Sequence, residues 1–268
     1  MKKLLLFLGL LPATLFAQTT NAGVITYAEV TQINWTPPAD MDPAMRAQVE
    51  EMRKRMPKSF TYYKDLSFSP EFAYYKTAPK QEKIDAEAAA QANAEGRGGF
   101  RRMMGNNKAI HHWDLKKGKF TEKREFFERE FLIKDDVKKL TWKIMGDAKQ
   151  IAGYVCQKAV AMEDTNQVVG WFCPTIPVPA GPNGYGQLPG MILELELKRD
   201  RGTTVITADS IALQAMNPSD FEAPKGGKTV TKEEYDQIVE EKMKEMQAEW
   251  KARMGGSGGG GGVIIRHE

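Results

Sequence analysis

Within residues 191–198, Met-Ile-Leu-Glu-Leu-Glu-Leu-Lys, apolar and polar side chains alternate from Leu193 to Lys198. That period of two is the signature of a strand with one face buried and one face wet. Asp200-Arg201-Gly202 then supplies a turn into a second strand over residues 203–213. The same pattern recurs along the chain. Residues 23–35 set Ile25, Tyr27 and Ile33 on one side and Val24, Ala28 and Val30 on the other. The aromatic-rich segments 59–66 and 71–77 read as a hairpin through Ser69-Pro70, and segments 109–115 and 119–127 flank the turn Lys116-Lys117-Gly118. Segments 129–133, 141–145, 152–161 and 168–173 continue the series. So many short strands predict a mainly β (α+β) fold, a curved antiparallel sheet or a partly closed barrel.

Helical signals are confined to three places. Asp42 is an N-cap with Pro43 at the first helical position, and Met45, Val49, Met52 and Met56 make one stripe, so a helix is expected over residues 40–56. Residues 79–107 hold an Ala/Glu/Gln stretch and then Gly96-Arg97-Gly98-Gly99, which predicts a mobile insertion with at most a helical turn near residues 86–92. Thr231-Lys232-Glu233-Glu234 is a capping box, and Tyr235, Ile238 or Val239, Met243, Met246, Trp250 and Met254 follow at helical spacing. A long C-terminal amphipathic helix over residues 227–254 is therefore expected, followed by a Gly-rich linker and β-prone tail over residues 255–268. Val263-Ile264-Ile265, on that tether, has the composition of a strand that docks on a sheet edge of its own chain or of a partner.

The N-terminus carries an export signal. Lys2 and Lys3 precede an apolar run over residues 4–16, and Ala17 comes just before a polar change. Basic, apolar, small residue, then polar is the order of a cleaved signal peptide over residues 1–17, leaving a β core over residues 18–226. The run is shorter than the ~20 residues that span a bilayer, and no later segment is apolar enough to cross one. The expected location is periplasmic or secreted. In that compartment Cys156 and Cys173, the two cysteines of the chain, can oxidise. Residues 163–167 supply a turn between their two segments, which predicts a hairpin carrying a Cys156–Cys173 disulfide. Lys+Arg 38 against Asp+Glu 35 leaves no bulk basic charge for nucleic acid.

The block from Trp142 to Leu197 resembles the GLPGLI family of exported envelope proteins. The residues that carry the resemblance are Trp142, Ile151-Ala152-Gly153-Tyr154, Cys156, Lys158-Ala159, Trp171, Ile176-Pro177, Gly181-Pro182 and Leu188-Pro189-Gly190-Met191-Ile192. The name motif departs at its first glycine, which is Gln187 here with Gly186 one place earlier, and at its second leucine, which is Met191. The resemblance implies an envelope protein and no catalytic residues. Physically, Pro174, Pro177, Pro179 and Pro182 with Gly181, Gly184 and Gly186 make a stiff connection crossing an edge or end of the sheet. It is either a fold-defining turn or a loop that shapes a ligand mouth.

Signals for chemistry are few. The chain has no nucleophile elbow, metalloprotease helix or phosphate-cradling loop in its proper context, and Asp135-Asp136 reads as a solvated turn. Met103, Met104, His111, His112 and His267 offer the thioether and imidazole ligands that soft metals take, although adjacent His111 and His112 on a strand point to opposite faces. The expected function is a non-enzymatic envelope protein that needs no cofactor and binds a partner protein, a peptide or an apolar ligand. The alternative is a periplasmic soft-metal protein of the copper-handling type.

Overall fold

We describe the protein from a computed structural model, which covers residues 21–34, 36, 42–55, 57–94, 109–199 and 202–255. The expected signal segment over residues 1–17, Met103, Met104, His267 and the Val263-Ile264-Ile265 tail lie outside the described residues.

Twelve strands form one sheet in the order β12-β6-β5-β4-β3-β2-β1-β11-β10-β9-β8-β7. They are β1 (Gly23–Ile33), β2 (Ser59–Phe68), β3 (Phe72–Thr77), β4 (Ile110–Asp114), β5 (Lys119–Phe126), β6 (Arg129–Asp136), β7 (Lys143–Ile151), β8 (Tyr154–Glu163), β9 (Asn166–Cys173), β10 (Met191–Arg199), β11 (Gly202–Leu213) and β12 (Lys228–Val230). Two meanders, β1 to β6 and β7 to β11, are joined where β1 pairs antiparallel with β11, Ile25 opposite Ile211 and Val30 opposite Val205. Of the two expected forms, a curved antiparallel sheet or a partly closed barrel, the barrel is not formed. The sheet is open, with β12 and β7 as edges, and mixed, because β12 runs parallel to β6.

It must nevertheless curl. β6 and β7 stand ten places apart in the strand order, about 48 Å across a flat sheet at ~4.8 Å per strand. The connector between them is residues 137–142, and a chain of that length reaches at most about 25 Å. The two ends of the sheet are therefore drawn toward each other. The concave face so formed holds the main core: Ile25, Tyr27, Leu66, Phe68, Phe172, Met191 and Leu195 are buried there.

Among the described residues no helix contributes to that core. The loop over residues 174–190 does, burying Ile176, Val178, Ala180 and Leu188 in the same cluster. It runs back along β10, with the amide of Met191 donating to the carbonyl of Ile176 (2.9 Å) and that of Ile192 to Ala180 (2.9 Å). Two glycines permit this approach. A Cβ on Gly190 would stand 2.2 Å from the carbonyl oxygen of Cys173, and one on Gly181 would stand 2.7 Å from Cβ of Ile192. The expected turn at Leu188-Pro189-Gly190 is present, closed by a 2.7 Å bond from the Gly190 amide to the Leu188 carbonyl.

Helices decorate the sheet. α1 (Pro43–Arg55) starts as its cap signals predict, with the Arg46 amide donating to Asp42. α2 (Pro79–Ala94) replaces the first half of the predicted mobile insertion. Gln81 anchors it: its side chain is buried and its Oε1 accepts from the Tyr63 amide at 3.0 Å. α3 (Lys232–Gly255) has the predicted capping box, with the Glu234 amide donating to Thr231 Oγ1 and the Thr231 amide to Glu234 Oε2. The expected long apolar face across the sheet is not found. Tyr235, Ile238 and Val239 pack on Phe131 and Ile133 in a small second core, while Met243 and Met246 are exposed.

The Cys156–Cys173 hairpin forms, β8 against β9 with Glu163 opposite Asn166, but the predicted disulfide does not. Both thiols are free and buried. Each sulfur is turned to a neighbour on its own side: Cys173 Sγ shares a 2.9 Å hydrogen bond with the Thr175 hydroxyl, and Cys156 Sγ donates to the Tyr154 carbonyl at 3.6 Å. Burial, and then the nearby Cys173, push the Cys156 thiol up to about 12, and a thiol held protonated is a poor nucleophile. Titration with an aromatic disulfide reagent at pH 8 should find no fast-reacting thiol in native protein and two after denaturation. Two thiols missing after denaturation without reductant would restore the bridge.

Candidate functional site

Where the two ends of the sheet approach, they leave a cleft of 880 Å³. One wall is the β4–β5 turn with the β6–β7 connector: Leu115, Lys116, Lys117, Lys119, Asp136, Val137, Lys139 and Leu140. The other is the core-filling loop: Pro179, Ala180, Gly181, Gly184, Tyr185, Gly186 and Gln187, with no charged side chain. Ala73 and Trp113 line it from the sheet.

The walls are stapled together. Gln187 donates from Nε2 to the Lys138 carbonyl (2.9 Å) and accepts at Oε1 from the Leu140 amide (3.1 Å). Trp142 Nε1 donates to the Gly186 carbonyl at 2.9 Å. Gln187 sits at φ +69°, a conformation that favours glycine, so its side-chain bonds offset a backbone cost. Tyr185 donates from its hydroxyl to Glu163 Oε2 at 2.7 Å. Burial, and then that bond, raise the Tyr185 phenol above its ordinary range. Trp113 stacks on Phe120 (5.6 Å, 30°) on one side and touches the backbone of Gly184, where a Cβ would come within 3.0 Å of the ring. The aromatic groups are thus positioned by packing and by bonds made outside the cleft.

Exposed lysines rim the basic wall, and carboxylates hold three of them: Lys116 with Glu71, Lys117 with Asp114 and Lys119 with Asp136. Lys119, and more weakly Lys139, hold the Asp136 carboxyl below its ordinary value. Asp136 is the one carboxylate among the described lining residues, and it is fully solvated and ionised.

The sequence-predicted metal residues do not meet. His111 and His112 are both buried but lie on opposite faces of β4. His112 is packed by Phe72 and Tyr74. His111 lies on the concave face between Tyr75 and Glu122, its partners in the neighbouring strands. Among the described residues no three His, Cys, Asp or Glu side chains gather as a metal site.

His111 belongs instead to a polar seam between the two cores. Lys64 Nζ lies 3.2 Å from Glu29 Oε2, Arg124 pairs with Glu122, and His111 Nε2 is 3.7 Å from Glu122 Oε1. Burial, then Lys64, then Arg124 push the His111 imidazole down to about 3. The nearby Glu122 does not reverse this, because Arg124 already holds that carboxylate. His111 is therefore neutral, and its contact with Glu122 is no salt bridge at neutral pH. Among the described residues, His111 Nδ1 and the Tyr75 hydroxyl are buried without a hydrogen-bond partner, and Glu29 Oε2 meets Lys64 outside hydrogen-bond geometry.

Comparison with known proteins places the cleft in context. Residues 109–236 match the family described as N-glycanase peptide, N-terminal domain. That stretch is just under half of the chain and contains every lining residue of the cleft except Ala73. It also overturns the GLPGLI resemblance, since the matched stretch spans the whole block on which that resemblance rested. No curated protein matches the chain. Two solved structures are similar, titled as PNGF-II in the P21 and C2 space groups. They show 12% and 14% identity, each with a TM-score of 0.48, over 81% and 80% of this chain. The chain spans about a third of their length, 33% and 32%.

The cleft residues were not marked by the sequence beyond the two loops that carry them. Trp113, Lys139, Tyr185 and Gln187 come from three segments that only the curl of the sheet brings together. The proline-glycine loop is the fold-defining turn its sequence allowed, and it also forms one wall of the cleft.

The seam gives a pH dependence with a definite sign. With His111 at about 3 in the native state and an ordinary imidazole value of 6.5 in the unfolded chain, the unfolded chain alone binds the proton between those values. Stability is then complete above pH ~6.5 and falls by up to ~1.4 kcal/mol per pH unit as pH drops toward 3. His112, lowered by burial, adds in the same direction. Urea midpoints measured from pH 7.5 to 4.5 should decline, and His111→Asn should flatten part of the decline. An unchanged slope in the variant would remove His111 as the cause.

Proposed function

We propose that this chain is an exported, non-catalytic domain whose cleft binds the carbohydrate of a glycoprotein. One observation carries the reading: the family match, whose description names an N-glycanase, falls on the residues that build the cleft. The lining supports it. Sugar rings present apolar C–H faces and a rim of hydroxyls. The cleft offers Trp113, Tyr185, Leu115 and Leu140 beside Gln187, glycine backbone and ammonium groups, the mix of apolar surface and few polar groups usual in small-ligand sites. Its volume lies within the ~300–1,000 Å³ of such sites.

The non-catalytic part rests on the carboxylate. Glycan and amide hydrolysis call for a proton donor or a poised base near the scissile bond. Asp136 is solvated, ion-paired and held ionised, and Glu163 is occupied by Tyr185 and Lys138. Export follows from the N-terminal signal, and it fits a glycoprotein ligand met outside the cytoplasm.

Calorimetric titration of the full chain with an N-linked oligosaccharide should show saturable binding. A glycopeptide should bind, and the same peptide without its sugar should not. Tyr185→Ala should weaken the oligosaccharide about tenfold, the equivalent of ~1.4 kcal/mol. Equal binding of the bare peptide would make this a peptide site and overturn the glycan reading.

A further inference from the structure

We infer that the glycan this cleft takes is anionic, its carboxylate or sulfate lying against the basic wall while its neutral rings lie against the opposite loop. The inference rests on the glycan reading above. It comes from the asymmetry of the walls. All the charged lining residues sit on one side, on the β4–β5 turn and the β6–β7 connector, and the loop over residues 179–187 supplies none. The two basic segments are fixed relative to each other by the Val137 amide, which donates to the Gly118 carbonyl at 2.9 Å, so the ammonium groups form one patch.

The patch has cations to give. Four lysines line the cleft beside one lining carboxylate, Asp136, while Glu71 and Asp114 hold Lys116 and Lys117 from outside the lining and Asp135 also acts on Lys119. Of the four lining lysines, Lys139 has no ion pair among the described residues, and its charge adds to that of Lys119 in stabilising ionised Asp136. The other three pairs are solvent-exposed on the lysine side. Exposed pairs of this kind hold weakly and are screened by salt, so a ligand anion can take over their ammonium groups at little cost. A neutral glycan would use the loop wall and leave the lysines as they are.

The test uses a sialylated biantennary N-glycan and the same glycan stripped of its sialic acids. The sialylated form should bind about fivefold tighter to the full chain at low ionic strength, the gain of roughly one exposed ion pair. The advantage should shrink as salt is raised to 0.5 M. Lys139→Gln should bring the ratio of the two affinities close to one, and Lys158→Gln, outside the cleft lining, should leave the ratio intact. Equal affinity for the two glycans, or a preference that Lys139→Gln does not touch, would overturn the anionic site and leave the glycan reading standing. Binding of neither glycan would overturn both.

Discussion

The connector over residues 137–142 decides the shape of this molecule. It must link strands that lie near opposite ends of a twelve-stranded sheet, and it is too short to do so unless the sheet bends around. Bending creates a concave face with no partner sheet or helix layer, and apolar side chains on it need cover. The loop over residues 174–190 provides that cover. It can do so only because Gly181 and Gly190 let backbone approach backbone where any side chain would collide. The bonds of Gln187 and Trp142 to and from the connector and the loop then join the constraint to the cover. The cleft is what remains open beside that junction.

The polar seam is the second consequence of a sheet this wide. One apolar core lies under the loop and a smaller one under α3, and the row between them carries Glu29, Lys64, His111, Glu122 and Arg124. Buried charges are tolerated when paired, and here the four charged groups pair off as Lys64–Glu29 and Arg124–Glu122. The imidazole between them has no charge to spare and stays neutral. Arg124 also reaches toward the ring of Tyr235, 5.4 Å away, so the seam ties α3 to the sheet where the apolar contact is small. A helix held by two turns of packing and two cation–aromatic contacts, Arg124 on Tyr235 and Lys242 on Phe127, belongs to the low-stability end of the molecule.

Much of the fold was legible in the chain. Alternation located the strands, Ser69 and Gly118 marked their turns, and Thr231 with Glu234 set the start of α3. The reading slipped where local signals were ambiguous. Ala152-Gly153, at φ +48° and +85°, is a hairpin tip, yet Ala152 reads as strand. The three residues of β12 are too few to show a period, and their parallel pairing is set by contacts far along the chain. α2 was masked by the glycine-rich composition that follows it. The cysteines were correctly put on one hairpin, but the hydroxyl of Thr175, two residues from Cys173, engages that sulfur. The cleft was the least legible, because its residues come from segments 113–119, 136–140 and 179–187, whose meeting depends on the curl. The family resemblance drew on Trp142, Gly181 and Leu188-Pro189-Gly190, which prove to staple and shape the core-filling loop, so those residues report architecture rather than activity.

Gln187 is the point where the account is most exposed. At φ +69° glycine is the residue the backbone prefers, so Gln187→Gly relieves strain while removing both bonds from the loop to the connector. If the staple holds the curl, the urea midpoint of the variant should fall by the equivalent of about 1 kcal/mol or more, since two hydrogen bonds outweigh the ~0.4–1 kcal/mol scale of glycine backbone effects. A midpoint equal to or above that of the parent protein would show that backbone strain, and not the loop–connector junction, governs this site, and would contradict the account.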